Sequence, residues 1–88
     1  MKTIWKYPFE IKDYIEIEMP GAPFFIHAGY QGNAPCMWFA VHPNNPKEVV
    51  KFRIFGTGHQ IEHPGALMHL ATIQDPLLPL VWHIFKEL

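Results

Sequence analysis

The chain has 88 residues and carries seven lysines and arginines against eight aspartates and glutamates, for a formal net charge of −1. That length sets a single domain, residues 1–88, and the charge excludes the strongly basic surface of a general nucleic-acid binder, although a local basic stripe stays open. A content of 49% hydrophobic and only 17% charged residues excludes intrinsic disorder and leans towards self-association into a homo-oligomer.

The single cysteine, Cys36, cannot form an internal disulfide. Met1–Phe9 lacks the apolar run of a signal peptide, and no stretch approaches the ~20 apolar residues of a membrane-spanning helix. The expectation is a cytoplasmic protein with no membrane partner.

Nine prolines and six glycines cut the chain into short pieces rich in aromatic and β-branched residues. In the first, Thr3 to Phe9, Trp5, Tyr7 and Phe9 alternate with Ile4, Lys6 and Pro8. In the second, Tyr14 to Met19, Ile15, Ile17 and Met19 share one face and Glu16 and Glu18 the other. Pro20-Gly21 marks a turn before the third, Phe24 to Gln31. Gly32-Asn33-Ala34-Pro35 then leads into the fourth, Cys36 to His42, which is apolar on both faces and reads as a central strand. The spacing predicts a hairpin between the third and fourth pieces. In the fifth, Val49 to Phe55, Val50, Phe52 and Ile54 oppose Lys51 and Arg53. The sixth is Leu67 to Gln74, and the last is Leu80 to Lys86.

The pattern predicts an all-β, mainly antiparallel domain, a small sandwich or partly open barrel of about six or seven short strands. The stretch 65–72 is the one place where a short helix competes, through Ala66, Leu67, His69, Leu70 and Ala71. The first and last pieces are expected to pair, tying in both ends of the chain.

Four features could carry chemistry. Gly56-Thr57-Gly58-His59 combines a tight turn with amide donors that could form an anion nest; the ordinary alternative is a strand-ending turn. Arg53, with Lys51 and Lys6, could form an anion-binding face with Arg53 as a bidentate phosphate ligand, or could pair across strands with Glu16 and Glu18. Trp5 or Trp38 could stack a base.

His59-Gln60-Ile61-Glu62-His63 matches the H-x-x-E-H pattern of inverted zinc peptidases, with His59 and His63 as weak metal candidates. Gly58 before it and Pro64-Gly65 after it leave room for little more than one helical turn, so a loop is expected. Six histidines are scattered along the chain, and His27, His42, His69 and His83 read as strand positions. Cys36 enters the most apolar strand and reads as an inert buried thiol. No nucleophile elbow or paired-carboxylate motif is present, so neither a catalytic residue nor a cofactor is expected.

The opening Ile4-Trp5-Lys6-Tyr7-Pro8, the segments Ile15-Glu16 and Met19-Pro20, the strand Cys36-Met37-Trp38, the element Phe52 to His59 and the ending Val81-Trp82-His83-Ile84-Phe85 resemble a family of short domains of unknown function. Those domains are encoded mainly by bacteriophages and their bacterial hosts. The resemblance covers nearly the whole chain and is most specific at Trp-Lys-Tyr and Gly-Thr-Gly-His. It implies a non-catalytic binding protein that antagonises a host defence system, by sequestering a nucleotide-like signal or by occupying a host defence protein. The competing expectations are a protein–protein interaction module that binds a host protein through an exposed strand edge, and a small metal-binding protein using His59 and His63.

Overall fold

A computed structural model describes all residues, 1–88. It contains seven strands and no helix: β1 (Thr3–Pro8), β2 (Tyr14–Pro20), β3 (Phe24–Gln31), β4 (Ala34–Val41), β5 (Lys47–Gly56), β6 (Leu67–Gln74) and β7 (Val81–Glu87). They form two antiparallel sheets, one ordered β1-β4-β3 and the other β2-β5-β7-β6. The sheets stack as a flat sandwich of 40 × 34 × 16 Å rather than closing into a barrel.

Residue alternation decides what lies between the sheets. Met37, Phe39 and Val41 of β4 meet Val50, Phe52 and Ile54 of β5, with Ile73 and Ile84 added from β6 and β7. The Phe39 and Phe52 rings stand 6.2 Å apart and join the two layers, while Tyr7 and Phe25 pack edge-on against Phe39. The remaining residues of each strand face outwards, so the molecule has two separate outer faces. That separation governs every functional residue below.

β3 and β4 form the expected hairpin, with Gln31 opposite Ala34. Gly32 has φ +63° and Asn33 does not share the positive φ, the pattern of a two-residue type II′ turn with glycine at its first central position. β4 is the central strand of its sheet, as its two apolar faces predict.

One expectation needs correction. The first and last strands do not pair: β1 bonds only to β4, while β7 lies between β5 and β6 in the other sheet. β7 is apolar on both faces, with Ile84 buried on one and Phe85 packed on the other, so it takes a central position and has no edge left for β1. The sixth piece, Leu67 to Gln74, is a strand as read, and the helix that competed over 65–72 does not form. β6 pairs with β7 throughout, with a bulge between His69 and Ala71. The bulge turns both Leu70 and Ala71 towards the core, which gives the strand its helix-like apolar spacing.

One core group lacks a partner. The Tyr7 hydroxyl is buried with no hydrogen bond, and burial raises its pKa. Leaving such a group unsatisfied is unfavourable, so Tyr7→Phe is expected to raise stability by up to about 1 kcal/mol. A urea midpoint that falls in this variant would show that the hydroxyl has a partner after all.

Candidate functional site

β5 ends in the Gly56–His59 turn, and the histidine folds back to cap it. His59 N–H donates to the Gly56 carbonyl at 3.1 Å, and Gly56 N–H donates to His59 Nδ1 at 3.1 Å. The ring sits so close that a Cβ at residue 56 would meet His59 Cε1 at 3.0 Å, so a side chain there would push the ring aside. Gly58 has φ +92°, which only glycine adopts without strain. Thr57 N–H reaches the Val81 carbonyl at 3.4 Å.

The amides therefore build the strand-ending turn that competed with an open anion nest. Three of them donate within the fold, and only Gly58 N–H has no internal acceptor. The available chemistry lies in the side chains instead. Because His59 Nδ1 accepts a hydrogen bond, the proton of the neutral ring sits on Nε2, free to donate outwards.

Thr57 leads into a chain of polar side chains across the outer face of the four-stranded sheet. Thr57 Oγ1 lies 2.8 Å from His83 Nε2, His83 Nδ1 lies 2.9 Å from Thr72 Oγ1, and Thr72 Oγ1 lies 3.1 Å from His69 Nε2. Strand register builds this chain: β7 places His83 opposite Phe55 on one side and Thr72 on the other. Phe85 packs edge-on against both Phe55, at 5.7 Å, and His69, at 5.2 Å, which fixes the rings behind the polar groups. Hydroxyls can donate or accept, so the chain accommodates either tautomer of His83.

Three shallow clefts meet at His59. One of about 400 Å³ runs along Asp13, Arg53, Phe55, Glu62 and His63. Another of about 350 Å³ is walled by Thr57, Pro79, Leu80 and Trp82. A third of about 290 Å³ lies between Phe55, Ile61, His83 and Phe85. Their volumes are at the lower end of what small ligands occupy.

Arg53 faces this side of the molecule but is not a free cation. Its Nε donates to Glu87 Oε2 at 2.7 Å, and its guanidinium stacks 4.4 Å above the Tyr14 ring. The hydrogen bond from Arg53 holds the Glu87 carboxyl below its ordinary pKa, and Tyr14, which donates to Glu16, has its own pushed up to about 12. Lys51 stands opposite Glu16 in register, as cross-strand pairing predicts. Lys6, Trp5 and Trp38 belong to the other sheet. Trp38 points outwards there beside Lys6, whereas Trp5 shares the inward side with Phe39 but stays 41% exposed because β1 is an edge strand. The expected ligand set is thus split between two opposite faces, and Arg53 and Trp38 cannot hold one ligand in a single chain.

The H-x-x-E-H segment is a non-helical loop. The His59 ring lies over Gly56 and the His63 ring over Gly65, so the two do not share a helical face, and no three histidine, cysteine or carboxylate side chains are placed to hold one metal ion. Cys36 is buried on β4.

Sequence reasoning placed Thr57 and His59 at the site but missed His83, Thr72 and His69 as their partners, and Phe55, Ile61 and Phe85 as walls. The structure defines the chain as a two-sheet antiparallel β domain with a histidine-capped turn at one end. It belongs to the DUF7352 family, a domain of unknown function whose profile matches residues 1–88. No curated protein and no solved structure is significantly similar to it. No helix is long and apolar enough to cross a membrane.

Proposed function

We propose that the domain is a non-catalytic binding protein whose ligand is a small, nucleotide-like anion held at the Gly56–His59 turn. The observation that carries this reading is the position of His59, where three clefts meet beside the Thr57–His83 pair. His59 Nε2–H, Gly58 N–H and the Thr57 hydroxyl can donate to a phosphate, and Phe55, Ile61 and Phe85 offer an apolar wall to a base.

Binding is favoured over catalysis for a physical reason. Thr57 and His83 have the spacing of a nucleophile and its base, but the group behind His83 is the neutral Thr72, which stabilises an imidazolium weakly. The Thr57 amide, which would be the natural oxyanion donor, already donates to Val81. In the phage setting that the resemblance implies, the domain antagonises a host defence system in the host cytoplasm by withdrawing its nucleotide-like signal.

The test is native mass spectrometry of the full chain with a panel of nucleoside monophosphates and cyclic dinucleotides. One nucleotide is expected to be retained, with affinity reduced about tenfold or more in His83→Ala and unchanged in Trp38→Ala. A chain that ignores every nucleotide, or a His83→Ala variant that binds as tightly as the parent, would remove this reading.

A second reading is a protein interface through an exposed strand edge. The β6–β7 loop exposes Leu77 and Leu78, at 74% and 55%, and β1 and β2 are unpaired edges. This reading predicts capture of a host protein that survives His83→Ala.

A further inference from the structure

We propose that the outer face of the three-stranded sheet is a stacking platform for a short single-stranded polynucleotide. This face lies opposite the Gly56–His59 turn, and the inference does not depend on the ligand proposed there.

Two rows of side chains cross β1, β4 and β3 in register. Lys6, Trp38 and His27 form the first row, and Ile4, Ala40 and Phe24 form the second. The second row is the more open, with Phe24 62% and Ile4 58% exposed. The Lys2 ammonium lies 6.0 Å from the Phe24 ring, and Lys6 Nζ donates to Gln31 Oε1 at 2.6 Å. Lys6 thus stands beside Trp38 in the first row, and Lys2, just before β1, reaches the Phe24 ring of the second.

The residues around Trp38 are small. Cys36 and Ala40 flank it along β4, and Gly29 leaves space for the His27 ring, whose Nε2 would lie 3.1 Å from a Cβ there. The His27 and Trp38 rings are tilted by 35° at 5.6 Å. Trp38 and Phe24 stand on adjacent strands one pleat repeat apart, a diagonal of about 7–8 Å, so each can carry its own base.

Charge is segregated to match. None of the eight acidic residues of the chain lies in β1, β3 or β4. This face carries Lys6 on β1 and Lys2 just before it with no carboxylate on its strands, whereas the other sheet holds mixed charge. A polyanion is favoured on such a face. A second copy of this chain is disfavoured, because face-to-face stacking would oppose Lys2 and Lys6 of both copies with no carboxylate on these strands to offset them.

The shape selects among anions. None of the four concavities of the molecule is lined by residues of this face, so it offers no pocket for the anchoring side chain of a protein partner. Flat rings bind flat groups, and bases are free to stack only when unpaired. Stacking tolerates any base, and two lysines and two rings do not read a sugar hydroxyl, so DNA and RNA single strands should bind alike.

The test is fluorescence anisotropy of labelled oligo-dT and oligo-U of about ten nucleotides, the length of a typical single-strand site, with the full-length protein. Both are expected to bind at low salt, with log K falling against log salt at a slope of about −1.4 for two phosphate contacts. Raising salt fourfold should then weaken binding about sevenfold. Trp38→Ala should weaken it about tenfold or more, Trp38→Phe should retain most of it, and Lys6→Gln should reduce the slope to about −0.7. Phe24→Ala is a second variant on the solvent face, which keeps the test intact should Trp38→Ala lose its fold by circular dichroism. His83→Ala should leave oligonucleotide binding unchanged. Three results would overturn the proposal: no anisotropy change with either oligonucleotide, binding that survives loss of both rings, or a dimer in sedimentation that dissociates in Phe24→Ala, which would assign the face to a second copy.

Discussion

Phe52→Ala is expected to remove a large share of the stability of the protein. Phe52 is completely buried and its ring meets Phe39 across the gap between the sheets, so its removal opens a cavity where the two layers are joined. Large-to-small substitutions of this kind cost about 3–5 kcal/mol. A domain of this length has a total stability of about 4–13 kcal/mol, and only 13 residues are buried to share the load. The core is one layer thick, and few neighbours can collapse into the vacated space. Chemical denaturation monitored by circular dichroism checks this, and a loss below about 1 kcal/mol would mean that Phe52 does not join the layers.

The second large effect is expected at Gly58. Nothing lies within 4 Å of a Cβ built there, so the cost of a side chain comes from the backbone alone, at φ +92°. A β-branched residue is least able to adopt that conformation, and Gly58→Val should cost about 1–2 kcal/mol. The consequence for binding is larger than the consequence for stability. The turn holds both Thr57 and His59, and if valine forces residue 58 to negative φ, the His59 cap over Gly56 and the Thr57–His83 contact are lost together. Nucleotide binding should disappear while the sandwich still unfolds cooperatively. A Gly58→Val variant with parental stability and parental binding would show that the turn tolerates other conformations and does not position the site.

The strands were legible because their chemistry is local. Ile15, Ile17 and Met19 against Glu16 and Glu18 can satisfy only a period of two, and the glycine–asparagine turn after Gln31 specifies its hairpin. β6 was ambiguous because its bulge brings Leu70 and Ala71 to one side and mimics helical spacing. Strand order was misjudged at the ends, although the two apolar faces of β7 already argued for a central position. The placement of β1 depends on which edges remain open after every other pairing, and no single segment contains that information.

The site divides in the same way. Thr57 and His59 share one turn, and two glycines announced it. His83 lies 26 residues from Thr57 and 11 from Thr72, so only the β5-β7-β6 register brings the three together. Arg53 read as a free anion ligand because its neutralising partner, Glu87, is 34 residues away. Lys6 and Trp38 read as parts of the same site because sequence does not reveal that their sheet faces the opposite way.

The central claim is that ligand recognition resides at the Gly56–His59 turn. Its most direct test is a nitrogen–proton NMR titration of the full chain with adenosine monophosphate and then with cyclic dinucleotides. Saturable shifts centred on residues 55–59 and on His83, with β1, β3 and β4 undisturbed, are the predicted result. Shifts confined to Trp38, Phe24 and their neighbours, or no shift with any of these nucleotides, would contradict it.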